Sequence, residues 1–253
     1  MRERVNTIIG KKPIILVAPH GADDTNTAII AEVAAKQLDA YAVINQGFDR
    51  ADYVDAENDI ADCNRINHCK DEIVYEEFLK PIIKFKDKIL SKSLQSNRLN
   101  QTWHGKYPQA DPLTIFYIHG CGDAVHKEAG EEVGVIVGYG LGAKKDSITC
   151  DLWRKNLFID LWRKNPQCSS QLYGEAFEGR GDGRYAGRNS NNLNQYFRKH
   201  ECHILVNSLQ LELPYSCRKT TEDAEATGKH LANLLHRYLM FNNYESVPKQ
   251  KFI

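Results

Sequence analysis

His20 and Asp23 stand three residues apart in the stretch PIILVAPHGADD, Pro13 to Asp24. Both are side chains that ligate metals, and neutral imidazole nitrogen with anionic carboxylate oxygen suits zinc. Asp24, the next residue, is the alternative carboxylate. A plainer reading uses the same residues. Asp23 and Asp24 lie where a helix begins, and carboxylates there accept orphan N–H bonds and suit the dipole; His20 is then a hydrogen-bonded strand-end histidine. Two ligands do not hold a catalytic ion, so the metal reading needs a third from elsewhere. His119 supplies it, closing the apolar run LTIFYIHG, Leu113 to Gly120, as His20 closes its own run. A zinc ion on three protein ligands keeps a position for water, whose pKa falls to about 7, giving a hydroxide nucleophile at neutral pH. His126, in a charged stretch beyond Cys121-Gly122-Asp123, is a rival third ligand.

The elements that must position these side chains follow from the hydrophobic pattern. Ile14 to Val17 reads as a fully buried strand and Pro19 bars a helix through it. A helix then starts with Asp24 or Thr25 as its cap and Ile30, Ala34 and Leu38 on one face. Tyr41 to Ile44 is a second strand, which makes a right-handed strand, helix, strand unit of the parallel type. Asn45 to Arg65, rich in charge and turn formers, reads as surface loop; its Arg50 and Arg65 are either solvated or wait for an anion that a guanidinium fork matches. Val74, Phe78, Ile82, Phe85 and Ile89 form a helical stripe interrupted at Pro81. Ser91 to Pro112 is an exposed connection without chemistry. Leu113 to Gly120 and Val133 to Gly138 are strands. In open α/β sheets, ligands collect outside the carboxyl ends of strands, which brings His20 and His119 to one place.

Gly138, Gly140 and Ala143 fit GxGxxA, but that fingerprint belongs in the first strand, helix, strand unit, and a turn is the reading taken here. DLWRKN occurs at Asp151 to Asn156 and again at Asp160 to Asn165. That spacing rotates a straight helix by about 900°, so Trp153 and Trp162 cannot share a core-facing side. Gln171 to Arg188 is a flexible, basic, glycine-rich loop, and Asn189 to His200 a short helix burying Leu193, Tyr196 and Phe197. Cys202 to Leu213 alternates as a strand, with Ile204, Val206, Ser208, Gln210 and Glu212 on one face. Glu212 is either exposed at the rim or aimed into the site, where it serves as general base. The last helix opens with Thr220 and Asp223 as a capping pair and packs Ala224, Leu231, Leu235 and Tyr238.

A chain of 253 residues with 33 Lys and Arg against 33 Asp and Glu fits a single domain, residues 1–253, and has no global field to recruit nucleic acid or an acidic membrane. Its 7 cysteines are scattered without a CxxC pair, which argues for reduced thiols and against a cysteine-only zinc site. No signal-peptide block and no run of ~18 apolar residues occur. The expected setting is cytoplasmic, with no nucleic-acid or membrane partner.

PHGAD, the Arg50 segment, Asp62-Cys63-Asn64-Arg65, the strand ending in His119 and LQLELPYSCR together resemble the N-formylglutamate amidohydrolase family, in matching order from about Ile14 to Arg218. The resemblance implies a three-layer α/β/α fold with a mixed, mainly parallel sheet like that of the zinc carboxypeptidases. It implies one zinc ion held by His20, Asp23 and His119, Asn64 and Arg65 holding a substrate carboxylate, Arg50 stabilising the oxyanion, and Glu212 as the catalytic glutamate. The expected activity is hydrolysis of the amide in a small N-acyl amino acid. The alternatives are a metallocarboxypeptidase acting on short peptides and a non-catalytic module that binds acidic ligands.

Overall fold

Apolar residues on both faces of a strand demand cover on both sides. The computed structural model describes residues 3–95, 113–124, 134–138, 175–178, 185, 187, 189–200 and 206–243. Among these residues seven strands, β1 (Val5–Ile8), β2 (Ile14–Ala18), β3 (Tyr41–Asn45), β4 (Leu113–Cys121), β5 (Gly134–Gly138), β6 (Glu175–Glu178) and β7 (Val206–Pro214), form one sheet in the order β1-β3-β2-β4-β7-β5-β6. β2 runs parallel to both β3 and β4, β4 to β7 and β5 to β6, whereas β1 on β3 and β5 on β7 are antiparallel. The fold is therefore α/β with a mixed, mainly parallel sheet. The helices are α1 (Thr27–Leu38), α2 (Glu72–Val74), α3 (Lys80–Gln95), α4 (Leu193–His200) and α5 (Thr221–Asn243).

The two faces separate cleanly by residue parity. Ile14, Leu16 and Ala18 of β2, Phe116 and Ile118 of β4, and Leu209, Leu211 and Leu213 of β7 pack with α1 and α5. Ile15 and Val17, Ile115 and Tyr117, and Val206 take the other face with Phe78, Ile82, Ile89, Leu193 and Phe197. α5 crosses α1 closely at Gly228, where a Cβ would lie 2.9 Å from Val33 Cβ and 3.0 Å from the Ile30 carbonyl oxygen. A glycine inside a helix costs about 1 kcal/mol relative to alanine, and this close approach is what it permits.

Several expectations change. α1 begins at Thr27, its N-cap position is Asn26 in the left-handed region, and no side chain caps it; neither Asp24 nor Thr25 serves as the cap. Pro81 does not interrupt its helix, because a π-helical turn at Tyr75–Leu79 leads from α2 into α3. That wider turn re-registers the backbone bonds just where the ring and the missing N–H of proline would break an α-helical ladder. Ser91 to Gln95 continue α3 instead of opening the connection. Glu175–Glu178, expected inside the glycine-rich loop, is the edge strand β6. β1 was not anticipated. The 45–65 segment runs as loop, yet Phe48, Ala56, Ala61, Asp62, Cys63 and Asn64 in it are buried. The DLWRKN copies, His126, and Gly140 to Ala143 lie outside the described residues. No helix among the described residues is long and apolar enough to cross a membrane.

Thr220 and Asp223 form the reciprocal cap expected of them: Asp223 N–H donates to Thr220 Oγ1 at 3.1 Å, and Thr220 N–H to Asp223 Oδ2 at 3.2 Å. One turn of α5 is pH-sensitive. His230 is buried, and burial followed by the charge of Arg237 push its pKa down to about 4. The unfolded chain takes up this proton near pH 6.5 and the fold does not, so stability is full above pH 6.5 and is lost as pH falls toward 4. We expect up to about 2 kcal/mol of the stability lost between pH 7 and pH 5 to be absent in His230→Gln, read from urea midpoints at the two pH values.

Candidate metal centre

β2 and β4 are adjacent parallel strands whose onward connections leave in opposite directions, so the crevice outside their carboxyl ends is the fold's switch point. Pro19 and the tight turn after it carry His20 to that edge. The turn is drawn back by Asp23 N–H and Asp24 N–H donating to the His20 carbonyl at 3.0 and 2.7 Å. It is pinned to β3 by Asn45 Nδ2 donating to the Pro19 carbonyl at 2.9 Å. Gly21 lies so near β3 that a Cβ would fall 2.3 Å from the Asn45 carbonyl oxygen. The consequence is a short loop that folds the Asp24 carboxylate back beside the His20 ring.

His119, at the end of β4, completes the group. His20 Nδ1 lies 3.2 Å from His119 Nδ1 and 3.6 Å from Asp24 Oδ2, and His119 Nδ1 lies 3.9 Å from Asp24 Oδ2. These three ligand atoms form the metal-competent cluster among the described residues. A tetrahedral ion with bonds of about 2.0–2.2 Å sets its ligand atoms about 3.4 Å apart. The triangle has the dimensions such an ion needs.

Asp23, the carboxylate named from the sequence, is directed elsewhere. Its Oδ2 accepts the Arg50 backbone N–H at 3.0 Å, whereas Asp24 Oδ2 accepts the Gly120 N–H at 3.0 Å from the His119 strand end. The structure thus brings Asp24 to the two histidines in place of Asp23. Neither aspartate caps α1, so the plainer reading of the pair does not describe this turn.

Asp62, to which the sequence alone gives no role, holds the His20 ring. His20 Nε2 lies 2.8 Å from Asp62 Oδ1. An ionised carboxylate only accepts, so Nε2 carries a proton, and an ion bound at Nδ1 would take the lone pair that faces the other two ligand atoms. Asp62 Oδ1 also accepts the Asn64 N–H at 2.9 Å, and Oδ2 pairs with Arg65 Nε at 3.1 Å. Burial works against the ionised forms of Asp24 and Asp62, but contact with His20 outweighs it and holds both below the usual carboxylate range. The same contacts overcome burial at His20 and push its pKa up to about 9 in the ion-free group. Burial, then the charge of His20, push His119 down to about 3, so its ring is neutral. We expect Asp62→Asn to weaken zinc affinity about 10- to 100-fold, measured by competition with a chelating dye.

The remaining sequence-derived residues surround this group at different depths. Arg50 is half-exposed, with Nη1 3.3 Å from His20 Nδ1 and 3.9 Å from Asp24 Oδ1. Asn64 is buried, and among the described residues its Oδ1 has no hydrogen-bond partner. Arg65, between Asp62 and the exposed Asp52 (Nη2 to Oδ1, 2.8 Å), is 38 % exposed and reaches solvent. Glu212 is aimed inward and is not at the rim. It pairs in register with His119 on the neighbouring strand, on the same face as Gln210, whose Nε2 donates to Glu212 Oε1 at 2.6 Å. Burial raises the Glu212 carboxyl to about 7 despite that bond.

The sequence matches no family profile and no curated protein. Among solved structures, the chain is similar to gene product Atu2144 of Agrobacterium tumefaciens, at 12% identity over 94% of this chain and 96% of that one, with a TM-score of 0.51. It is also similar to YndL in its zinc-free apo form, at 13% identity over 95% and 92% of the two chains and a TM-score of 0.49. A bacteriophage poly-gamma-glutamate hydrolase aligns at 11% identity over 92% and 90%, with a TM-score of 0.44. At these identities the likeness is one of fold.

Proposed function

We propose that this protein is a zinc-dependent amidohydrolase that cleaves the amide bond of a small N-acyl amino acid carrying a free carboxylate. The observation that carries the reading is the meeting of His20 Nδ1, His119 Nδ1 and Asp24 Oδ2 within 3.2 to 3.9 Å of one another. They meet at the carboxyl edge of the sheet, with the buried Glu212 on the adjoining strand. When bound there, zinc supplies Lewis acidity toward the substrate carbonyl and acidifies a water molecule.

Everything else falls to the chain's own residues. Arg65 and Asn64 hold the substrate carboxylate, the guanidinium through its Nη1 and Nη2 positions, since Nε is held by Asp62 and the exposed Asp52 can give way. Arg50, on the half-exposed side of the ligand group, offsets the negative charge that develops on the carbonyl oxygen. Glu212, ionised, takes a proton from the attacking water as the new C–O bond forms, and returns it to the nitrogen as the C–N bond breaks. Its burial brings the carboxyl close to working pH, where it can both accept and give that proton. Asp62 keeps the His20 tautomer and ring angle fixed throughout.

The test is elemental analysis of the purified protein, followed by a panel of N-formyl and N-acetyl amino acids and dipeptides with and without chelator. Zinc near one per chain and chelator-sensitive turnover of an N-acyl amino acid are expected. Preference for dipeptides would reassign the protein to the metallocarboxypeptidases. Binding of an acidic ligand that survives complete metal removal, with no turnover of any substrate, would make it a non-catalytic module.

A further inference from the structure

Arg218 follows the 3₁₀ turn Tyr215–Cys217 that comes after β7 and is only 5 % exposed. Its three nitrogen positions each donate to a different backbone segment. Nη1 reaches the Thr25 carbonyl at 2.8 Å, Nη2 the Cys121 carbonyl at 3.0 Å, and Nε the Leu213 carbonyl at 3.1 Å. Thr25 follows Asp24, Cys121 lies just past His119, and Leu213 follows Glu212. We infer that Arg218 is a positioning residue for the metal centre, a buried guanidinium that fixes the Asp24 loop and the His119 and Glu212 strand ends relative to one another. This rests on the reading that His20, Asp24 and His119 hold the ion.

Two further observations support the assignment. The guanidinium lies against Gly120, where a Cβ would stand 2.3 Å from Arg218 Cζ. Gly120 N–H is the donor to Asp24 Oδ2, so a displaced guanidinium shifts the amide that aims a ligand. The tie is also returned: Asn26 Nδ2 donates to the Arg218 carbonyl at 2.9 Å, from a residue held in the left-handed region at φ 60. Among the described residues, no carboxylate pairs with Arg218. Burying a charge compensated by carbonyl dipoles and by the Tyr215 ring, whose centroid lies 5.7 Å from Cζ, is costly, and an apolar side chain would serve packing alone at lower cost. Lysine offers a point charge and cannot address three diverging carbonyls as the planar fork does.

The experiment compares Arg218→Lys, Asn26→Gly and Thr227→Val with the wild-type protein. The last removes the Thr227 Oγ1 bond to the Cys217 carbonyl, 2.6 Å long, on the far side of the same turn. Zinc affinity by chelator competition and the visible spectrum of the cobalt-loaded protein are read beside the melting temperature of the metal-free form. Arg218→Lys is expected to bind zinc about 10- to 100-fold more weakly and to change the cobalt spectrum. Asn26→Gly moves the same way by less, and Thr227→Val lowers the melting temperature while keeping affinity and spectrum. Wild-type affinity and spectrum in Arg218→Lys would overturn the inference, as would an equal loss of affinity in Thr227→Val. If Arg218→Lys does not fold, unchanged affinity in Asn26→Gly overturns it. A wild-type protein that takes up neither zinc nor cobalt defeats the metal reading itself, a separate outcome.

Discussion

Asp24→Asn is expected to abolish stoichiometric zinc binding and to lower kcat/KM by at least about 10³-fold, while Asp23→Asn keeps both near wild type. Metal catalysis of this kind is worth several kcal/mol, and each 1.36 kcal/mol is tenfold in rate. The two carboxylates are neighbours in the chain but not in role. Asp24 Oδ2 lies 3.6 and 3.9 Å from the histidine nitrogens, whereas Asp23 accepts a backbone N–H from Arg50, a bond an asparagine oxygen can still accept. Elemental analysis and steady-state kinetics on the two variants decide the matter. Full zinc content in Asp24→Asn together with loss in Asp23→Asn would reverse the assignment.

The second large effect belongs to Glu212→Gln. Removing a general base costs about 10² to 10⁴ in kcat, and here zinc content and KM should hardly change, because Glu212 sits beside the ligand group on β7 and is not one of its three members. The pH dependence has a definite sign. The carboxylate must be ionised to accept the water's proton, so activity rises with pH through the Glu212 pKa. Burial pushes that pKa up to about 7, and a bound cation pulls it down from there. The acid limb of the kcat/KM profile is therefore expected at or below pH 7 in the zinc-loaded protein. Glu212→Gln lacks that limb. A variant that keeps it, or that turns over at the wild-type rate, removes Glu212 from the chemistry.

Much of this architecture was legible from local pattern. The apolar runs Ile14 to Val17 and Leu113 to Gly120 announce buried strands, and the alternation of Cys202 to Leu213 announces another, because side chains alternate across a pleated sheet whatever the tertiary context. His20 and His119 were legible as partners for the same reason: each ends an apolar strand, and parallel strands share one carboxyl edge. Pro81 misled because a proline rule written for α-helical bonding does not anticipate a π-helical turn just before it. The 175–178 strand was hidden by glycines and arginines around it, since edge strands lean on one neighbour and carry a weaker apolar signature.

Asp62 and Arg218 illustrate the limit. Asp62 sits in a polar segment that composition assigns to solvent, and only the packing of the 45–65 loop against the sheet end turns it toward His20. A signal existed in the short run Asp62 to Arg65, where an acid stands beside two groups expected to bind an anion. The amino-acid sequence by itself determined the strands β2, β3, β4, β5 and β7, though not β1 or β6, and that two histidines close apolar strands. These follow from side-chain alternation and backbone chemistry acting over a few residues. The choice of Asp24 over Asp23, the tautomer imposed by Asp62 and the three-way tie of Arg218 were decided only by the tertiary structure. Each depends on the angle at which a turn returns and on atoms that approach from as far as 193 positions away in the chain, contacts that no local periodicity encodes.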